Sequence, residues 1–439
     1  MLQVGLANRG IRRYLIATRG QGAEYLSHNT TFATRFFGDV LESFDSGSIE
    51  ISDISLVEVD SHRADIEVLH KGEKSFVIFD QSMMDLFGAA TGALLADLEI
   101  DRVSARGEHK YLLNAFFANR YLSLGFPYDA AWQATLARKA RAMERPLLSH
   151  ERARRDAWVR VQACFSIGHE VMHTRARIRG VGGEPGGVEV LARLLARDYE
   201  SRMRPISRAM DAADPNLDSK TDRWDSPWGY VPGTEDRMRP QFTGRDLSWE
   251  QKLNWIVATP DGFGEEVICD YASAIAVARN LGGKWLTPDE VLVAAYVGLV
   301  TRIFLNIVEN RILAYTSRAP EDLLTTVAQS ERIRTRLEFA RLALGPICRR
   351  GVAKELRGQP DDAIKAEAAT RWESLRDFIR RIDSVWTTPL LRLFVSGGQW
   401  SDFDGNAIKV PEIPDEVNIE DLVGMRDYCK ECLGADLEF

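Results

Sequence analysis

Histidine and cysteine are scarce in this chain, 7 and 5 residues among 439. Cys164, Cys269, Cys348, Cys429 and Cys432 are odd in number and mostly far apart, which excludes a dense disulfide framework and fits reduced thiols in the cytoplasm. Long apolar runs are missing too. The longest, VLVAAYVGLV at 291–300, meets Thr301 and Arg302 well short of a membrane span, so no membrane partner is expected. The opening MLQVGLANRGIRRYLIATRG lacks the continuous apolar core and small-residue cleavage site of a secretory signal, and a cytoplasmic location is expected. Nor is there an excess of basic charge. A formal net charge of -8 argues against nucleic acid as the main partner. The glycines of VGGEPGG do not have phosphate-loop spacing, and no Gly-x-Ser-x-Gly elbow, internal repeat or low-complexity tract is found.

Against this background the run His169-Glu170-Val171-Met172-His173 is the most constraining feature of the chain. Residues four apart lie on one helix face, so the two imidazoles can converge on one metal ion while Glu170, beside the first, reaches a water on it. That is the layout of a zinc hydrolase. A catalytic zinc takes three protein ligands and keeps a fourth position open, so a third ligand is required. No histidine follows His173, and a carboxylate is expected in its place. In GFGEEVICDYASAIAVARN, Glu266 and Asp270 stand four apart on a helical pattern. Glu266 can ligate the metal and Asp270 can fix a ligand histidine from outside, with the adjacent Glu265 as the alternative to Glu266.

At these two segments the chain resembles the gluzincin metallopeptidases, whose pattern is HExxH followed by ExxxD on a second helix. The resemblance implies Zn2+ held by His169, His173 and Glu266, with Glu170 as general base, Asp270 orienting a ligand, and a protein or peptide as substrate. Relatives of that family supply a transition-state donor from a downstream histidine or tyrosine. With no histidine available, Tyr271, Tyr296 and Tyr315 are the candidates. By analogy, an intracellular HExxH peptidase of narrow range, acting on one regulatory protein in stress response or phage defence, is the functional expectation. The competing readings are a catalytically silent zincin-fold module that binds a protein partner, and a metal-dependent hydrolase of a non-peptide amide.

The fold class expected is α+β, predominantly helical, with a zincin-like catalytic core, a small antiparallel sheet and additional helices. Hydrophobic residues at 45% and charged residues at 27% suit an ordinary globular chain, and the length suits two or three domains. Residues 1–130 form an α/β part in which ISLVEVDSHRADIEVLHKGEKSFVIFD, 54–80, reads as an antiparallel meander. Within it the run Phe76–Phe79 is the candidate edge strand that would pair with an extended substrate. Residues 131–320 carry the metal site on a helix from His150 to about Arg179, then a second helical pattern from Val188 and an insertion loop at 213–246 rich in Pro, Gly, Asp and Trp. Capping boxes at Ser248–Gln251 and Thr287–Glu290 mark two helix starts. Residues 321–439 read as a helical region in which Cys429 and Cys432, lacking a second ligand pair, are structural. The arginines flanking the HEVMH helix, Arg152, Arg154, Arg155, Arg160, Arg175, Arg177 and Arg179, read as a solvated face.

Overall fold

The computed structural model describes residues 24–25, 54–60, 64–71, 74–99, 114–122, 126–141, 149–176, 263–316, 336–337, 340–341, 343–345, 347–387, 428–429 and 431–432. They are mostly helical and carry one small sheet, an α+β arrangement. The helix expected from Val188, the insertion loop 213–246 and the capping box at Ser248–Gln251 lie outside the described residues.

The sheet joins β1 (Glu24–Tyr25), β2 (Ile54–Asp60), β3 (Ile66–Lys71) and β4 (Lys74–Asp80) in the order β1-β2-β4-β3. β3 and β4 make an antiparallel hairpin with Lys71 opposite Lys74, but β4 then lies beside β2 and runs parallel to it, Leu56 opposite Val77. The expected antiparallel meander is therefore corrected to a mixed sheet. The reason lies in β4 itself, whose residues Ser75 to Asp80 are buried without a break. A strand apolar on both faces belongs in the middle of a sheet, whereas an alternating strand suits a margin. Leu56, Val77 and Phe79 face the helices, while Val57, Val59, Phe76 and Ile78 form a separate cluster on the opposite face. The central position also overturns Phe76–Phe79 as a substrate-pairing edge. Both of its hydrogen-bonding sides are occupied, and β3 is the outer strand on that side among the described residues.

Helices α1 (Ser82–Glu99), α2 (Pro127–Arg141), α3 (Ser149–Ala176), α4 (Phe263–Leu281), α5 (Pro288–Thr316) and α6 (Asp361–Ile382) build the rest. α3 is the axis of the fold and packs on α1, α4, α5, β3 and β4. From Ala157 to Met172 its described side chains are buried except Arg160, as a helix apolar on most sides must be. Each of Trp158, Phe165 and Ile167 contributes about 1.5–3 kcal/mol of burial by area. The arginines on its first half are not simply solvated. Arg155 is buried against Asp156, Arg154 pairs with Glu290, and Arg160 lies over the Trp285 ring.

α5 begins at the second capping box, where Thr287 N donates to Glu290 Oε2 at 3.2 Å and Glu290 N donates to Thr287 Oγ1 at 3.3 Å. Its stretch Pro288–Glu309 is long and apolar enough to cross a membrane by length and composition, so the run read as too short is extended by its flanks. In the structure 89% of that window is buried inside the fold, which accounts for its composition as a core helix. At the far end of the chain, Tyr428 bonds Thr135 on α2 and Cys429 and Cys432 are buried in the main core.

Candidate metal centre

α3 and α4 pack antiparallel, as their stitches show: Phe165 O accepts from Ser273 Oγ, His169 meets Asp270, and His173 meets Glu265. This packing brings the two sequence motifs face to face. His169 Nε2 and His173 Nε2 are 3.0 Å apart, and the Glu266 carboxylate lies 3.3 Å from the first and 3.2 Å from the second. Tetrahedral zinc with bonds of about 2.0–2.1 Å sets its ligand atoms about 3.3–3.4 Å apart, and the separations here are of that size, with Glu266 Oε2 toward His169 and Oε1 toward His173. Glu170 also offers a donor atom within 4.8 Å of those of both histidines. Both carboxylates are paired with an arginine, Glu170 with Arg302 and Glu266 with Arg336, and Glu266 is the one that approaches both Nε2 atoms.

The outer nitrogens are engaged as well. His173 Nδ1 hydrogen-bonds Glu265 Oε1 at 2.7 Å, which fixes that ring's orientation and tautomer, and His169 Nδ1 lies 2.7 Å from Asp270 Oδ1, an ion-pair approach without hydrogen-bond alignment. The sequence allowed Glu265 only as an alternative ligand; on the helix it points about 100° away from Glu266 and reaches the far side of the same histidine. Cys269, one turn after Glu265, places Sγ 3.7 Å from His173 Nδ1.

Two arginines complete the cluster. Arg336 donates from Nε and Nη2 to Asp270 at 2.6 and 2.9 Å and pairs through Nη1 with Glu266 at 2.8 Å. Arg302, on α5, donates from Nη2 to Glu170 Oε1 at 2.6 Å. Neither was singled out as a site residue from the sequence. Arg302 had a signal, the one cation in the long apolar stretch Pro288–Glu309, where a charge needs a buried partner. Arg336 had none, since SERIRTRLEF looks like any charged helix face.

Burial disfavours the charge on His173, but hydrogen bonds to Cys269, Glu265 and Glu266 outweigh it and push its pKa up to about 12. Glu266 is held well below the usual carboxylate range: burial opposes this, and Arg336 with the two histidines overcomes it. Asp270 is lowered too, with Arg336 and His169 overcoming its burial. Burial pushes the Cys269 thiol up to about 11. With neutral imidazoles, the carboxylates of Glu170, Glu265, Glu266 and Asp270 exceed the guanidiniums of Arg302 and Arg336 by two charges. One divalent cation cancels that excess, and the proton drawn onto His173 stands in for part of it. The donor set therefore fits a zinc ion in number, type and charge.

The expected transition-state donors are placed differently. Tyr296 is buried on α5, where its hydroxyl donates to Asp383 at 2.8 Å and accepts from Arg341 at 2.9 Å, a separate polar cluster. Tyr271 is buried on α4 beside Asp270. The side chain of Tyr315 lies outside the described residues. Comparison with protein-family models, curated proteins and solved structures finds no match to this chain.

Proposed function

We propose that this protein is a zinc-dependent metallopeptidase with a gluzincin-type site on a zincin-like core, acting on a peptide bond of an intracellular protein. The observation that carries the reading is the convergence of His169 Nε2, His173 Nε2 and Glu266 at 3.0–3.3 Å, with a carboxylate behind each histidine. His169, His173 and Glu266 would hold the ion. Bound there, zinc supplies a Lewis acid that lowers the pKa of a coordinated water and polarises a carbonyl.

The chain's own groups do the rest. Glu170 accepts a proton as water oxygen bonds to the carbonyl carbon and the carbonyl electron pair moves onto its oxygen. When the C–N bond breaks and the C=O re-forms, Glu170 returns the proton to the leaving nitrogen, which gives an amine and a carboxylic acid. Asp270 and Glu265 keep the imidazoles from rotating, and the side chain of Glu266, 38% exposed, marks the open side by which substrate would enter. The hydrogen bond from Arg302 to Glu170 is the one observation that favours a silent, protein-binding site, because it occupies the base.

Two measurements test the reading. Purified protein should carry about one zinc per chain, and the His169→Ala/His173→Ala double variant none. Glu170→Gln should keep zinc and fold yet lose cleavage of a substrate identified by comparing the cut proteome of cells with wild-type protein and cells with the variant. Full zinc in the double variant would remove the metal site, and undiminished cleavage by Glu170→Gln would show that the base lies elsewhere.

A further inference from the structure

Arg302 is a cation set at low exposure in the long apolar stretch Pro288–Glu309, and only part of its guanidinium is used. Nη2 donates to Glu170, whereas Nη1 is buried without a hydrogen-bond partner among the described residues. A buried guanidinium nitrogen left unpaired costs free energy, so such a group in a folded protein calls for an acceptor that arrives later. No histidine follows His173, and the Tyr296 hydroxyl is committed to Asp383 and Arg341. Arg302 is the cation already hydrogen-bonded to the residue that must sit beside the reacting carbonyl.

Resting on the hydrolase reading above, we propose that Arg302 is a further catalytic residue, which presents Nη1 to the anionic oxygen of the tetrahedral centre. A fixed cation aimed where charge builds up, in a site shielded from water, favours the transition state over the planar amide. The pair with Glu170 then has a second meaning. It holds the guanidinium in place beside the residue that meets the reacting water.

The test uses two small probes on the full zinc-loaded chain. Phenylphosphonate carries a tetrahedral anion; acetohydroxamate binds zinc without one. Calorimetry should find that Arg302→Met weakens phenylphosphonate about 100-fold and leaves acetohydroxamate affinity and zinc content as in the wild type. Leaving Glu170 buried and unpaired endangers folding, so the same comparison is made between Glu170→Gln/Arg302→Met and Glu170→Gln, where no carboxylate needs a cation. Arg302→Lys, with the charge but not the fork, should recover part of the phosphonate affinity. Unchanged phosphonate binding, or an equal loss for both probes, at one zinc per chain would overturn the role of Arg302 and leave the hydrolase reading standing. A wild-type chain that takes up no zinc would overturn both.

Discussion

At the scale of single residues, the identity of each carboxylate is set by helix geometry more than by chemistry. Glu265 and Glu266 are the same side chain one residue apart, yet one meets the outer nitrogen of His173 and the other both inner nitrogens. Reading the sequence alone would make Glu265 expendable; the geometry gives it the part for His173 that Asp270 plays for His169. Glu266→Ala should therefore abolish tight zinc binding, while Glu265→Ala and Asp270→Ala should each weaken it roughly 10- to 100-fold. Competition against a chelator of known affinity measures all three, and a wild-type affinity in Glu265→Ala would return that residue to the surface role. The HEVMH pair and the partners at 266 and 270 were legible because i, i+4 spacing fixes a face from sequence alone. Arg336 was not, because its hydrogen bonds to Asp270 span 66 residues of chain and no local pattern records them.

Among elements, α5 decides how close Arg302 comes to Glu170. It runs parallel to α3 with matched contacts, Arg154 to Glu290, then Gln162 to Gly298, then Glu170 to Arg302. Gly298 is the closest of these approaches. A Cβ there would stand 3.1 Å from Cβ and Cγ of Gln162, whose amide in turn donates to Thr91 on α1 at 2.7 Å. Three helices are thus keyed at one level, two turns of α3 before Glu170. Gly298→Leu should cost about 1–3 kcal/mol by overpacking, read as a lower urea midpoint, and Gln162→Ala in the same chain should recover part of it by removing Cγ and the atoms beyond it. If Gly298→Leu unfolds at the wild-type midpoint, the helices are not in close contact there. Helix positions and the Thr287 cap could be read from local signals, whereas strand order could not: alternation tells which face a residue takes and is silent on which strand lies next to it. The unbroken apolar run of β4 was the one clue to its central place.

For the molecule as a whole, the main hydrophobic cluster runs from Leu56 to Cys432 and draws on sheet, metal helices and C-terminal segment alike. The candidate metal site lies within the wall of that cluster, since Ile167, Val171, Ile268 and Cys269 are core residues next to the candidate ligands or their supports. Without a cation the site retains its carboxylate excess and holds a proton on His173 that a bound cation would displace, so occupancy and folding would be coupled. Zinc that binds the native chain alone adds about 2.7 kcal/mol at a free concentration one hundred times its Kd. In a chain of 439 residues melting as one unit each kcal/mol moves the midpoint by roughly 1 °C, and the rise should be about 3 °C. Because one cluster links all the described elements, the shift should carry the whole calorimetric transition and not split off an early part. The His169→Ala/His173→Ala variant should melt at one temperature with or without zinc. A wild-type melting curve unmoved by chelator, with zinc shown by mass spectrometry to be present and then removed, would mean that the ion is held outside the cooperative core and that α3 and α4 pack as they do without it.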